Sequence, residues 1–404
     1  MNGFSVQRSA FSVATQPPRS TFNAQRSTPN PDRLTPDARR PTHHLTIVAA
    51  GTGGHVMPGI AVAEALLARG WSVSWLGTKS GMERGLVEPR RIGFDAIDFT
   101  GLRGKGVRTL IFGGFYLLRA WWQSRAALRR RAPSIVFSTG GYVAVPAGLA
   151  ATSLGLPLVL LNADASPLLS TRILRSLVSA LFCGFDGGAA RLGGETALVT
   201  GNPVRADIAA LMDPPARFAG RTGPLRVLVF GGSLGAQALN QAVPAALALL
   251  AESRRPQVLH QCGAAHVESA RAAYTNARVA AHVVPFIDDM AAQYAQADLV
   301  LCRAGAITVT ELTAAGVASV LVPFVAKTTD HQRGNAEFLA RHGAAVHLPQ
   351  DELNAQRLAE LLDGLDRSLL LDMAIKARQL GKPDATRVVA DAIEHIAKSV
   401  KRET

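Results

Sequence analysis

The sequence predicts an α/β protein in which two doubly wound, Rossmann-like domains face each other across a cleft. Two observations carry this expectation. Short apolar runs alternate with helical stretches along the chain, the signature of a mostly parallel sheet covered on both faces. An apolar run, a glycine-rich turn and a helix also occur twice in succession, at Gly51–His55 and again at Gly231–Gly235, so each half of the chain opens in the same way. A length of 404 residues suits two domains of ordinary size.

Residues 1–44 are rich in Ser, Thr, Pro, Gln and Arg and contain no lysine, and they read as a disordered extension. The first domain, 45–205, begins with the apolar strand Leu45–Ala50, the glycine turn, and a helix over Pro58–Arg69 closed by Gly70. Further strands are expected at Ser72–Leu76, Ile135–Ser138 and Leu156–Leu161, with a long helix over Thr109–Arg131. Residues 206–223, with Pro214 and Pro215, read as a linker. The second domain, 224–385, restarts with the strand Leu225–Phe230 and the helix Ala236–Glu252. Its later strands are expected at Gln257–Gln261, Ala280–Pro285, Leu299–Cys302 and Ser319–Val322. Residues 386–404 form a terminal helix that returns to the first domain.

Composition narrows the function classes. No stretch is apolar for long enough to cross a bilayer as a helix. The three cysteines, Cys183, Cys262 and Cys302, are too scattered for a zinc site or a disulfide framework. The formal charge of +13 asks for an anionic partner, and nucleic acid, a phosphorylated substrate or an anionic membrane each satisfies it.

In open α/β sheets ligands bind beyond the carboxyl ends of the strands, so the glycine turns mark the expected site. Thr52, Gly53 and Gly54 place backbone N–H groups without an intervening Cβ, and His55 titrates near neutrality, which suits acid/base work. The turn lacks the Gly-Lys-Ser/Thr of a P-loop and also suits a plain strand-to-helix connection. In the second turn Ser233 adds a hydroxyl beside a diphosphate cradle. Ala306, Ile307, Thr308, Val309, Thr310 and Glu311 run from a strand end into a helix, and a carboxylate at Glu311 can accept two ribose hydroxyls. Gln332 and Asn335 add a polar cluster suited to sugar hydroxyls. Asp288-Asp289 resembles a metal pair only superficially and reads as a turn near a base, so no metal and no cofactor is assigned. Between Leu102 and Arg131, arginines and Lys105 interleave with Phe112, Phe115, Tyr116, Leu118, Trp121 and Trp122, with no acidic residue. That pattern suits an anionic membrane surface, and equally an amphipathic helix packed on a sheet.

Taken together, Ala50–Gly59, Gly101–Gly106, Gly201-Asn202-Pro203-Val204-Arg205 and Arg303–Glu311 closely resemble the MurG family, the undecaprenyl-diphospho-muramoylpentapeptide N-acetylglucosaminyltransferases of bacterial peptidoglycan synthesis. The resemblance implies a GT-B fold. It implies transfer of N-acetylglucosamine from UDP-GlcNAc to the muramoyl O4 of lipid I, giving lipid II with inversion. It further implies peripheral attachment to the cytoplasmic side of the inner membrane, other cell-wall synthesis proteins as partners, and no nucleic acid. Residue by residue it places Thr52, Gly53, Gly54 and His55 on the substrate side. Arg205, Ser233, Ile287, the Ala306–Glu311 segment and Gln332, with Asn335 close by, fall on the donor side. The chain departs from the family where His-Glu-Gln-Asn is usual, reading Leu161-Asn162-Ala163-Asp164, so Asn162 or Asp164 takes the place of the usual asparagine and His55 remains the base. Two other readings share these motifs: another GT-B enzyme, such as a UDP-GlcNAc 2-epimerase or glycolipid glycosyltransferase, and a non-catalytic UDP-sugar-binding membrane scaffold.

Overall fold

A computed structural model describes residues 43–403, apart from 52, 101–106, 188–189, 191, 193, 233–234 and 325–330. The expectations for residues 1–42, Thr52, the Gly101–Gly106 stretch and Ser233 lie outside the described residues.

Among the described residues, the first sheet contains β1 (His44–Ala49), β2 (Ser72–Thr78), β3 (Gly93–Ile97), β4 (Ile135–Gly140), β5 (Leu158–Asn162), β6 (Ala180–Cys183) and β7 (Ala197–Leu198), in the spatial order β3-β2-β1-β4-β5-β6-β7. The second contains β8 (Arg226–Phe230), β9 (Gln257–Gln261), β10 (His282–Val284), β11 (Leu299–Cys302), β12 (Ser319–Leu321) and β13 (Val346–His347), ordered β10-β9-β8-β11-β12-β13. The strand pairs are parallel, and the order reverses between β1 and β4 in one sheet and between β8 and β11 in the other. Those reversals are the switch points at which such sheets bind ligands.

Helices cover both faces. In the first half these are α1 (Gly53–Ala68), α2 (Glu83–Val87), α3 (Val107–Arg131), α4 (Ala144–Thr152) and α5 (Leu169–Leu174). The second half has α8 (Gln237–Leu249), α9 (Val267–Asn276), α10 (Met290–Gln296), α11 (Ala306–Ala315), α12 (His331–Arg341), α13 (Ala355–Asp363) and α14 (Arg367–Leu380). Central strands such as β4 and β5 are buried along their whole length, which is why they read as continuous apolar runs.

Three local features differ from the sequence expectation. Helix α1 begins at Gly53 rather than Pro58, so the glycines form its first turn, where amides need no intrahelical acceptor. The expected linker carries two short helices, α6 (Ala206–Ala209) and α7 (Pro214–Phe218). Buried Arg217 fastens the latter by donating to the carbonyls of Met212, Tyr294, Ala315 and Gly316, and burial pushes its pKa down to about 10. The first strand also starts at His44, one residue before the expected Leu45.

The terminal helix α15 (Ala385–Glu403) packs Val389, Ala390, Ile393 and Ala397 into the same core cluster as Val56, Ile60 and Ile47 of α1 and β1. An ion pair of 2.7 Å between Arg69 and Asp391 lies beside that contact. Both sheets thus belong to one compact unit, Pro41–Thr404.

Candidate active site

The turn after β1 and the turn after β4 flank the first switch point, and His55 joins them. His55 is the third residue of α1; its Nδ1 lies 3.1 Å from the Thr139 carbonyl, and Thr139 Oγ1 donates back to the His55 carbonyl at 2.6 Å. Only a protonated Nδ1 can donate to a carbonyl, so this bond fixes the tautomer whose Nε2 carries the lone pair. The ring sits against Gly140, whose φ is +106° and on which a Cβ would lie 2.9 Å from His55 Nδ1. Only glycine satisfies both conditions. Sequence reasoning passed over Thr139-Gly140-Gly141, although a glycine pair directly after an apolar strand is the same signal that singled out the other two turns.

His55 opens into a cavity of about 670 Å³ whose lining includes Tyr142, Asp164, Ser170 and His331. The last of these comes from α12 beside the second sheet, so the cavity lies between the two sheets. Burial lowers the His55 pKa below the ordinary imidazole value; the Asp164 charge and the Thr139 carbonyl oppose that shift, and His331 adds to it. If His55 is a general base it must be unprotonated to act, and activity is expected to fall as pH drops through this lowered pKa. The acid limb of the kcat/KM profile is therefore expected below about 6.5, the usual histidine value. Asp164→Asn removes the charge that raises the His55 pKa, and the limb moves to lower pH; an unmoved or raised limb contradicts this placement.

The loop leaving β5 corrects one expectation. Asn162 is fully buried and spends its carboxamide on its own loop, donating to the Asp164 and Ser166 carbonyls and accepting from Leu168 N and Thr171 Oγ1. With two donors and two acceptor sites used, it shapes the loop and does not face a ligand. Asn335 is likewise fully buried: its Oδ1 accepts from Ala165 N at 2.9 Å, and its Nδ2 donates to Asp164 Oδ1 at 2.9 Å and to the Ala304 carbonyl at 3.1 Å. It ties the β5 loop to the end of β11 and holds the Asp164 carboxylate.

On the second sheet, the turn after β8 is braced from β9. Gly235 has a φ of +76°, and a Cβ there would overlap the Cys262 carbonyl, while Gln261 Nε2 donates to the Gly232 carbonyl at 3.0 Å. Helix α11 starts beside it with Gly305 as its N-cap. Glu311, on the second turn of α11, is only 9% exposed and already paired: Oε1 accepts from Arg205 Nη2 at 3.1 Å and Oε2 from the Tyr294 hydroxyl at 3.2 Å. Burial raises the Glu311 pKa while Arg205 and Tyr294 hold it down. Oε1 also accepts from Arg205 Nε at 3.3 Å, so only Oε2 retains a lone pair for a ligand hydroxyl. Tyr294 escaped the sequence reading because nothing beside it in the chain marks it.

Other expected residues divide between ligand-facing and internal. Gly53 and Gly54 lie in the first turn of α1, and Ala306 and Thr308 in that of α11, where amides are open to an acceptor. Val309 is fully buried core, and the hydroxyl of Thr310 donates to the Ala306 carbonyl and accepts from Asn202 Nδ2, so these two pack rather than bind. Ile307 is 9% exposed and Ile287 half-buried against the same core. Gln332 Oε1 accepts from Phe324 N at 2.8 Å, bracing the exit of β12. Asp289 caps α10 by accepting from Ala292 N.

Two Rossmann-like sheets with glycine turns at both switch points define the GT-B fold. The profile of the glycosyltransferase family 28 N-terminal domain matches residues 45–182, and that of the family 28 C-terminal domain matches 226–390. The chain belongs to glycosyltransferase family 28. It is 54% identical over 360 residues, 88% of this chain and 98% of the relative, to the UDP-N-acetylglucosamine–N-acetylmuramyl-(pentapeptide) pyrophosphoryl-undecaprenol N-acetylglucosamine transferase of Methylibium petroleiphilum. The enzyme of the same name from Chromobacterium violaceum is 54% identical over 353 residues, 87% of this chain and 98% of the relative. The crystal structure of Acinetobacter baumannii MurG superposes with a TM-score of 0.74 at 38% identity, covering 87% of this chain and 99% of that one.

Proposed function

We propose that this enzyme transfers N-acetylglucosamine from UDP-GlcNAc to the muramoyl O4 of undecaprenyl-pyrophosphoryl-MurNAc-pentapeptide, with inversion, at the cytoplasmic face of the inner membrane. The observation that carries the reading is the 54% identity along 98% of a relative named for this transfer. The site chemistry agrees with it. His55 Nε2 takes the O4 proton as O4 attacks the anomeric carbon from the face opposite UDP. The bond from that carbon to the diphosphate oxygen breaks, and its electron pair leaves with UDP. Arg205 and the first-turn amides of α11 stabilise the departing charge. Glu311 reads the ribose and Gln332 the sugar. No covalent intermediate forms.

Purified protein given UDP-GlcNAc and a polyprenyl-diphospho-MurNAc-pentapeptide is expected to release UDP and form the disaccharide product. Absence of transfer with UDP binding intact would refute the reading, and turnover of UDP-GlcNAc without acceptor would favour an epimerase.

The membrane part rests on α3. Phe115, Leu118 and Trp122 fall at helical spacing on one side and are 65%, 53% and 58% exposed, whereas Ala120, Ser124 and Leu128 on the other side are buried. Not all of the expected basic stripe is available: Arg130 and Arg131 both bind Asp95, at 2.5 and 2.6 Å. We therefore expect Phe115→Ser/Trp122→Ser to weaken binding to anionic vesicles by about tenfold or more in sedimentation. Unchanged binding rejects this face as the contact.

A further inference from the structure

The His55 cavity has two chemically different walls. The wall from α1, the β5 loop and α12 carries His55, Asp164 and His331. The wall from α3, α4 and α5 is mostly apolar, contributed by Leu117, Val145, Leu168, Leu169 and Ile173, with Phe99 beside them and Ser170 and Tyr142 as its polar members. Pyranose hydroxyls need donors and acceptors, and the aliphatic side chains of this second wall offer them none.

The apolar wall also reaches the outside. Leu169 and Ile173 line the cavity yet are 53% and 45% exposed, so α5 forms its rim. Helix α3 does the same from the other side: Leu117 faces the cavity while Phe115, Leu118 and Trp122 on that helix are exposed. A ligand fitting this shape has a polar, anionic head near His55 and the first-turn amides of α1, and a branched hydrocarbon tail leaving between α3 and α5.

Resting on the reading above, we propose that this apolar wall is a binding subsite for the first isoprene units of the polyprenyl diphosphate acceptor, with Leu169 and Ile173 as its specificity-determining residues. The tail then contributes affinity at the site itself, apart from any contribution of the membrane in concentrating acceptor. The enzyme on this account distinguishes a prenyl diphosphate from a diphosphate bearing a small alkyl group even without a lipid phase.

The test uses the full chain in buffer free of vesicles and detergent, with two monomeric acceptors. One is a two-isoprene diphospho-MurNAc-pentapeptide and the other its methyl diphosphate counterpart. Wild type is expected to favour the prenyl acceptor in kcat/KM by about tenfold or more. That preference falls towards unity in Leu169→Ser/Ile173→Ser and is retained in Leu169→Met/Ile173→Leu, the exposure of both positions making either pair compatible with folding. Equal wild-type rates on the two acceptors, or a preference unaltered in the serine variant, overturn the subsite and leave the transferase reading standing. Transfer to neither acceptor overturns both.

Discussion

His55→Ala is expected to lower kcat by about two to four orders of magnitude, the usual contribution of a positioned general base, while the Kd for UDP stays within about twofold. The separation follows from where the residue sits. His55 belongs to the first sheet, with its tautomer fixed by Thr139 and its ring seated on Gly140. The proposed nucleotide contacts at Arg205 and Glu311 are made through a different set of bonds. Stopped-flow turnover and calorimetric UDP titration on the same preparation measure the two halves. An unchanged kcat would remove His55 from the proton transfer; a lost UDP affinity would show that the histidine works mainly by holding the fold.

Glu311→Ala is expected to raise the Kd for UDP by about tenfold to a hundredfold, because a hydrogen bond to a charged group contributes about 1.5–3 kcal/mol. The variant also strips Arg205 and the Tyr294 hydroxyl of their shared acceptor, so loss of affinity by itself does not prove a ribose contact. Comparing UDP with 2′-deoxy-UDP isolates it. Wild type prefers the ribonucleotide, and the preference disappears in Glu311→Ala if the carboxylate reads the ribose. A variant that discriminates as well as wild type places the reading group elsewhere.

The fold was legible where strands are buried on both faces. Leu299–Cys302 falls where its continuous apolar run suggests, because it is buried along its whole length and neither face needs a polar residue. Gly93–Ile97 was not legible: β3 is an edge strand carrying Asp95, whose charge is satisfied only by arginines at the far end of α3. Two-residue strands such as β7 and β13 are too short to carry a period.

The site divides in the same way. His55 and Glu311 are visible beside glycine turns or at a helix start. The residues that give them their properties are not, since Thr139 lies 84 positions from His55 and Arg205 lies 106 from Glu311. Asn162 and Asn335 show the converse. A polar residue at a strand end or helix start looks the same in sequence whether it serves a ligand or closes internal hydrogen bonds, and here Asn162 bonds within its own loop while Asn335 bonds across to the β5 loop and the end of β11.

The central claim is a single displacement at the anomeric carbon by an acceptor oxygen that His55 deprotonates. The configuration of the new glycosidic bond, read by NMR on the product of one turnover, tests it most directly. The account predicts a linkage inverted relative to UDP-GlcNAc. A retained configuration would contradict it.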